Sequence, residues 1–269
     1  DDFLDAQPEN PTGYWEDRQI VEINERLLKA LGLRWDDARS IAPWEFEGRR
    51  VRALRREAVR YLKRAFLSRS PWGFKDPRTV RLLPFWRDVL NRCEVEDSYV
   101  VAIRNPRSIA ASLFARQAMT SREAYRLWLV YMLPWLNDIM GKPSVVVDYD
   151  LLMANPRHEL TRVERIAGTG NAREREIDRF ATEFLDAELR HTLYSHDDFE
   201  SNCEAAALTQ SAYLLLYEAA TDRLSPQSSA FWAAWEGIRS RLGSVAGNPR
   251  ERVRPWPVGP WPAKKNKNN

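Results

Sequence analysis

The sequence has 269 residues, of which 44 % are hydrophobic and 29 % are charged, an ordinary balance for a globular protein of one large domain or two small ones. A net charge of +3 is too small to indicate a nucleic-acid partner. The longest apolar stretch, Leu127 to Ile139, is too short and too interrupted to span a membrane. Cys93 and Cys203 lack metal-ligand spacing, so we expect free thiols, a reducing compartment and a cytoplasmic protein.

Helices are predicted in the first third of the chain. Apolar residues recur at helical spacing from Ile20 to Leu31, and Gly32 ends the pattern. A second helix is predicted from about Trp44 to Phe66. The following stretch, WGFKDPRT (72–79), is predicted as a short strand or loop, and LLPFWRDVLNRC (82–93) as a helix.

Two short apolar segments in the middle of the chain are predicted as buried strands. They are SYVVAIRN (98–105) and SVVVDY (144–149), and each is followed by a helical pattern. Thr120 and Glu123 form a predicted capping box for a helix that runs to about Met140. Strands that alternate with helices predict an α/β layer with a parallel sheet, in which ligands bind at the carboxyl ends of the strands.

The last part of the chain divides into two predicted regions. Residues 172–242 are predicted to be almost entirely helical. From residue 243 the composition becomes Pro-rich and then rich in Lys and Asn, which predicts an extended arm and a disordered tail over 243–269.

The stretch VVAIRNPRSIAASLFAR (100–116) has the residues of an anion site. Arg104 lies at the predicted end of one strand, and Ser112 and Arg116 follow on one side of the next helix. Arginine forks, a hydroxyl and a helix amino terminus together suit a phosphate. From periodicity alone, a surface arginine with a solvated helix face explains the pattern equally well.

Four motifs in this chain resemble those of sulfotransferases that use 3′-phosphoadenosine 5′-phosphosulfate. The spacing of Arg104 and Ser112 matches the 3′-phosphate-binding segment of that family, and Arg116 matches an arginine of its tyrosylprotein branch. VVVDYDLLMANPRHEL (145–160) resembles a segment whose tyrosine lies near the adenine, here Tyr149. WGFKDPRT resembles an element whose lysine reaches the transferring sulfuryl group or the acceptor, here Lys75. NPTGYWEDRQIVEINERLL (10–28) resembles a stretch of the bacterial enzymes.

The resemblance covers residues 8–200 and implies a fold, a donor and a domain plan. It implies a P-loop NTPase-like three-layer α/β fold with a parallel sheet and a helical carboxyl-terminal part, within a sulfotransferase domain of residues 1–242. The Gly-rich loop that holds the 5′ end of the donor in this family is not found in the sequence. By the family's order it lies before Asn10, so we expect the sequence to lack that strand and loop and, as it stands, not to be competent for catalysis.

Two residues are predicted to carry the chemistry of sulfuryl transfer. Glu16 is the predicted base, at the inward, amino-terminal end of the first helix, and the resemblance places a glutamate of that helix in this role. The alternative is an acid of the first helical turn, a role that suits Asp17 better. Lys75 is the predicted electrostatic stabiliser, with a solvated loop cation as the alternative, and Asp76 is predicted to be a turn residue.

Other features leave alternatives open. His158 is predicted to be solvated, and His191 is a second choice for the base or for a substrate contact. The Trp128, Tyr131 and Trp135 stripe is interpreted as core rather than as a sugar platform. A run of eight basic residues lies in the second helix between residues 49 and 64, where Glu57 is the only acid. Such a run is usually a solvated helix face, and the functional alternative is that it binds an anionic acceptor.

These observations predict an enzyme that transfers a sulfuryl group from 3′-phosphoadenosine 5′-phosphosulfate to a hydroxyl of a glycan or other small molecule. No metal is required by this mechanism. We expect no nucleic-acid partner and no membrane span. The alternatives are a non-catalytic nucleotide-binding or assembly subunit and a P-loop kinase, although neither a Walker loop nor acids placed for magnesium are visible in the sequence.

Overall fold

The computed structural model describes residues 3–5, 13–68, 70–168, 174–185, 194 and 203–245. This part of the chain is mixed α/β and mostly helical, with two parallel strands. The helices and strands, in chain order, are α1 (Arg18–Ala30), α2 (Arg49–Ala65), α3 (Leu83–Arg92), β1 (Tyr99–Ile103), α4 (Pro106–Gln117), α5 (Ser121–Met132), β2 (Ser144–Asp148), α6 (Tyr149–Ala154), α7 (Pro156–Ala167), α8 (Glu174–Arg179), α9 (Glu204–Ala220), α10 (Ser229–Arg239) and α11 (Leu242–Val245).

The two strands pair in parallel and end in register. Tyr99 pairs with Ser144, and Ile103 pairs with Asp148. The predicted parallel sheet is therefore confirmed for these two strands. Since they end level with each other, the residues that follow them meet at one edge of the sheet.

Burial differs between the two strands. All of β2 is buried, as predicted, whereas β1 alternates between partly buried and exposed residues until its buried last residue, Ile103. Val100 is 50 % exposed, and Ala102 is also exposed. The prediction that β1 is a buried strand is wrong for the described part of the chain, where β1 pairs only with β2.

Helix α1 forms as its sequence predicts. The apolar residues Ile20, Ile23 and Leu27 are fully buried against α2. Asp17 caps the helix by accepting a hydrogen bond from the Ile20 amide at 2.9 Å, so it lies just before the first turn, in which the sequence had suggested it. The chain turns after Leu31 through Gly32, whose φ of +70° favours glycine.

Two predicted helix boundaries are wrong. Residues Pro43–Glu47 form a separate 3₁₀ turn, and α2 begins only after Gly48. Helix α5 has the predicted capping box but ends at Met132 rather than near Met140. Pro134 explains this end, because it has no amide hydrogen to continue the helical hydrogen bonds.

Aromatic and aliphatic side chains from most helices form the hydrophobic core. Helix α5 packs on α4 and α9, and α9 packs on β2 and α10. Trp128 and Trp135 are buried in this core, which confirms their interpretation as core residues. The helical carboxyl-terminal part is confirmed by α9, α10 and α11, while residues 246–269 and the predicted tail lie outside the described residues. No helix in the described ranges is both long and apolar enough to cross a membrane.

Candidate functional site

Glu16 and Lys75 form an ion pair although 59 residues separate them in the chain. The ammonium of Lys75 donates to Glu16 Oε1 at 2.6 Å and to the backbone oxygen of Tyr14 at 2.9 Å. Glu16 is 5 % exposed, whereas the side chain of Lys75 is 58 % exposed. A buried carboxylate is thus paired with a lysine whose side chain reaches solvent.

Glu16 is held by the segment that enters α1, not by the helix itself. The helix begins at Arg18 with Asp17 as its cap, so Glu16 lies just before the helix and not, as was predicted, within it. The Glu16 carbonyl accepts a hydrogen bond from the Leu4 amide at 3.0 Å. The second oxygen of Asp17 accepts from the Tyr61 hydroxyl of α2 at 2.6 Å, which fixes the neighbouring backbone.

Lys75 lies on a loop anchored on both sides. Before it, Phe74 packs on Trp86 of α3 with ring centroids 4.9 Å apart. After it, buried Asp76 caps the 3₁₀ turn Pro77–Leu82 and accepts a hydrogen bond from Asn24 of α1 at 2.9 Å. Asp76 is therefore a turn residue, as predicted, and also ties the loop to the core.

Arg104 and Tyr149 meet at the carboxyl edge of the sheet, as their positions after β1 and β2 predict. The Arg104 guanidinium carbon lies 4.6 Å from the centroid of the Tyr149 ring. Tyr149 itself begins α6 rather than ending β2. The buried Nε of Arg104 has no hydrogen-bond partner, and no carboxylate of the described residues forms an ion pair with this arginine. A stacked arginine without an acid leaves its N–H groups available to an anion.

Ser112 and Arg116 lie on α4, which follows Arg104. Arg116 is exposed, and its Nε donates weakly to the backbone oxygen of Ser112 at 3.4 Å. Ser112 is half-buried. No hydrogen bond or ion pair in the described part of the chain joins either residue to Arg104. The three-sided phosphate site therefore stays a prediction, with Arg104 its best-placed member.

A second arginine–tyrosine contact, which was not predicted from the sequence, lies beside this edge. Asn105 caps α4 by accepting from the Arg107 amide at 2.9 Å, and its Nδ2 donates to the Tyr194 backbone oxygen at 3.1 Å. The Arg107 guanidinium carbon lies 4.4 Å from the Tyr194 ring centroid. In the sequence, this contact could be suspected only from the position of Arg107, in the first turn of a helix that follows a strand, because Tyr194 is distant along the chain.

Asp148, the last residue of β2, stabilises the same edge of the sheet through hydrogen bonds. One of its oxygens accepts hydrogen bonds from the Asp150 and Leu151 amides, and the other accepts from the Tyr213 hydroxyl at 3.2 Å. Burial raises the pKa of the Asp148 carboxyl above its usual range, and the two amides oppose that rise. Asp148 thus orients the start of α6, on which Tyr149 is carried.

The two groups of predicted residues remain separate within the described part of the chain. No hydrogen bond, ion pair or ring contact joins Glu16 and Lys75 to Arg104 and Tyr149. A cavity of about 480 Å³ lies elsewhere, between α2, α3 and the 3₁₀ turn Pro43–Glu47, and none of the six predicted site residues lines it.

The remaining predicted features have mixed outcomes. His158 is exposed, as expected, and its ring lies 2.9 Å from Glu159 Oε1. His191 lies outside the described residues. Cys93 and Cys203 are free thiols, as predicted. Over the described ranges no group of three or more His, Cys, Asp or Glu side chains is placed to hold a metal ion.

The fold and site therefore define a mixed α/β protein with a lysine–glutamate pair and an arginine at the carboxyl edge of a parallel sheet. Neither β1 nor β2 is followed by a glycine-rich turn: Arg104, Asn105 and Pro106 follow β1, and Tyr149 follows β2. Comparisons with protein-family models, with curated proteins and with solved structures gave no match to this chain.

Proposed function

We propose that this protein is a sulfotransferase that moves a sulfuryl group from 3′-phosphoadenosine 5′-phosphosulfate to an acceptor hydroxyl. The observation that carries the proposal is the 2.6 Å contact between Lys75 Nζ and Glu16 Oε1. Two separate sequence motifs had suggested these residues as stabilising cation and base, and a shared site is what those roles require.

The proposed reaction uses the pair in one displacement step. Glu16 accepts the proton of the acceptor hydroxyl as its oxygen bonds to sulfur. The bond between sulfur and the bridging oxygen breaks, and its electron pair stays with the 5′-phosphate of the leaving adenosine 3′,5′-bisphosphate. The Lys75 ammonium stabilises the negative charge that develops around the transferring group.

The sheet edge supports the same proposal from the donor side. We propose that Arg104 binds the 3′-phosphate, with Ser112 and Arg116 beside it, and that Tyr149 lies near the adenine. We also propose a P-loop NTPase-like three-layer arrangement in which β1 and β2 are neighbouring strands. Because no glycine-rich turn follows β1 or β2, the 5′-phosphosulfate of the donor is then bound by backbone amides elsewhere in the protein.

The test is transfer of labelled sulfuryl groups from the donor to pooled cell glycans and lipids by the full-length protein, with any segment that precedes Asp1, compared between wild type and Lys75→Ala. We expect Lys75→Ala to lower kcat by about 10²–10³-fold, the range for loss of one electrostatic stabiliser, with a smaller change in donor affinity. Lys75→Arg should restore activity only in part, because the guanidinium is larger and its charge is spread.

Lys142→Ala is the matched control. Lys142 also forms a lysine–carboxylate pair, with Asp97 at 2.5 Å, but both residues precede the strands rather than follow them. Its kcat should stay near the wild-type value. If Lys75→Ala keeps kcat and raises only the KM for the acceptor, Lys75 positions the acceptor and the proposed mechanism is wrong there. If donor binds without transfer to any acceptor, the alternative of a non-catalytic nucleotide-binding subunit replaces the enzyme.

A further inference from the structure

One side of α2 carries a continuous row of exposed cations. The buried residues of this helix, among them Val51, Ala58 and Leu62, lie on the opposite side and face the core. We call the exposed row the basic stripe. Its members recur every three or four residues and are Arg49, Arg52, Arg56, Arg60 and Lys63.

The positive charge of the basic stripe is not neutralised by acids. Glu57, the only acid of α2, is held by both terminal nitrogens of Arg26, at 2.6 and 2.9 Å. In the described part of the chain no member of the stripe forms an ion pair with a carboxylate. Helix α2 carries eight Lys and Arg and one Glu, a net charge of +7 against +3 for the whole chain, so the rest of the chain is net −4. The net positive charge of the chain is thus concentrated on one helix, of which the buried Arg55 is paired with Asp88 at 2.6 Å and is not part of the stripe.

The basic stripe is straight, and it lies on a helix that also contacts the segment of Glu16. With a rise of 1.5 Å per residue, the 14 steps from Arg49 to Lys63 span about 21 Å, with neighbouring cations about 4.5–6 Å apart along the axis. The carboxyl-terminal half of α2 touches the segment that holds the pair, because Tyr61 donates to Asp17 at 2.6 Å. Helix α2 thus carries the stripe on one side and contacts the Glu16 segment through another.

We infer that the basic stripe binds an anionic polysaccharide, one whose sugars carry carboxylate or sulfate groups, and that this polymer is the acceptor. The inference rests on the proposed function, because it names the substrate of the Glu16–Lys75 pair. A polysaccharide offers a free hydroxyl to the base on every sugar, while its acidic groups match a row of arginines.

Two other anionic partners fit the surface less well. Single-stranded nucleic acids are bound by basic grooves combined with aromatic side chains that stack on bases, and no exposed residue of α2 is aromatic. Helices that lie on anionic membranes insert an apolar face, and the apolar face of α2 is buried in the core.

The binding test needs neither donor nor turnover. Fluorescence anisotropy measures the Kd of the protein for a labelled ten-sugar oligogalacturonate, with a ten-sugar neutral glucan as the uncharged comparison. The stripe variant is Arg52→Gln/Arg56→Gln/Arg60→Gln. The control is Arg122→Gln/Arg165→Gln/Arg175→Gln, which removes the same charge from exposed positions on α5, α7 and α8. Far-ultraviolet circular dichroism checks that both variants fold.

We expect the stripe variant to bind the oligouronate at least about tenfold more weakly, while the control changes less than about twofold. Wild-type binding should weaken as salt is added, and this dependence should be shallower in the stripe variant. Equal affinity of wild type and stripe variant for the oligouronate would overturn the inference. Tighter, stripe-dependent binding of an oligonucleotide or of vesicles that contain anionic lipid would also overturn it.

Transfer assays on the same variants separate this inference from the proposed function. If label passes to neutral glycans equally well in wild type and stripe variant, the function holds and the inference fails. If the oligouronate binds through the stripe but no acceptor is sulfated, the polysaccharide site holds and the proposed reaction fails.

Discussion

Replacement of Arg104 by alanine tests the donor site with little damage to the fold. In the described part of the chain its guanidinium has no carboxylate partner, so its loss leaves no buried acid without a counter-charge. The protein loses the contact with the Tyr149 ring, 4.6 Å away, a contribution of about 0.5–1 kcal/mol. The stability of Arg104→Ala should therefore stay within about 1 kcal/mol of wild type in urea unfolding.

The effect on ligand binding should be larger. A hydrogen bond from a charged group contributes roughly 1.5–3 kcal/mol, so Arg104→Ala should weaken binding of adenosine 3′,5′-bisphosphate by about 10–150-fold. Ser112→Ala, which removes a neutral hydroxyl, should weaken it by less, about 2–10-fold. Adenosine 5′-monophosphate should bind almost equally to wild type and variants, because it has no 3′-phosphate.

Isothermal titration calorimetry with both nucleotides measures these differences. Arg165→Ala is the charge-matched control, because it removes an exposed arginine from α7. The assignment of Arg104 to the 3′-phosphate is refuted if Arg104→Ala binds the 3′,5′-bisphosphate with wild-type affinity. It is also refuted if the wild-type protein does not distinguish the two nucleotides.

Three further variants test the pair, the sheet edge and the core. Glu16→Gln should keep donor binding in calorimetry but lower turnover by about 10²–10⁴-fold, and near-normal turnover would remove Glu16 as the base. Burial raises the pKa of the Asp148 carboxyl in the folded state, so folding favours its protonated form. The Tm of wild type should therefore fall relative to that of Asp148→Asn as pH rises from below about 3.9, the unfolded pKa, through the folded pKa. A constant difference in Tm between pH 3 and 8 would contradict this. Arg162→Met should lower the free energy of unfolding in urea by about 3–5 kcal/mol, because it leaves the buried carboxylate of Glu159, 2.7 Å away, without this counter-charge. Arg157→Met, at the exposed pair with Asp178, should lower it by about 1 kcal/mol or less.

Local sequence signals predicted the elements whose ends are set by local chemistry. The Thr120–Glu123 capping box and the end of α1 before Gly32 need only residues within one turn, and both are present in the structure. The errors arose where a helical pattern continued across a break. Gly48 and Pro134 each interrupt an apolar periodicity that runs past them, and the backbone follows the break rather than the pattern.

The candidate site was only partly predictable for a related reason. The meeting of Arg104 and Tyr149 follows from the parallel sheet, since each comes directly after a strand. No periodicity connects Glu16 with Lys75; only the resemblance placed them in one site. Exposure was predicted least well, because whether β1 is covered depends on which elements pack beside it and not on its own apolar residues.

The open side of β1 has a consequence for the exchange of its backbone hydrogens with solvent. In a parallel strand successive amides point to opposite sides, and the Tyr99 amide donates toward β2, to the Pro143 oxygen at 2.9 Å. The amides of Val101 and Ile103 therefore also face β2, while those of Val100 and Ala102 point away, where no strand of the described residues receives them. Within one five-residue strand, hydrogen exchange should thus alternate between slow and fast, and Val100 and Ala102 should take up deuterium as readily as loop residues.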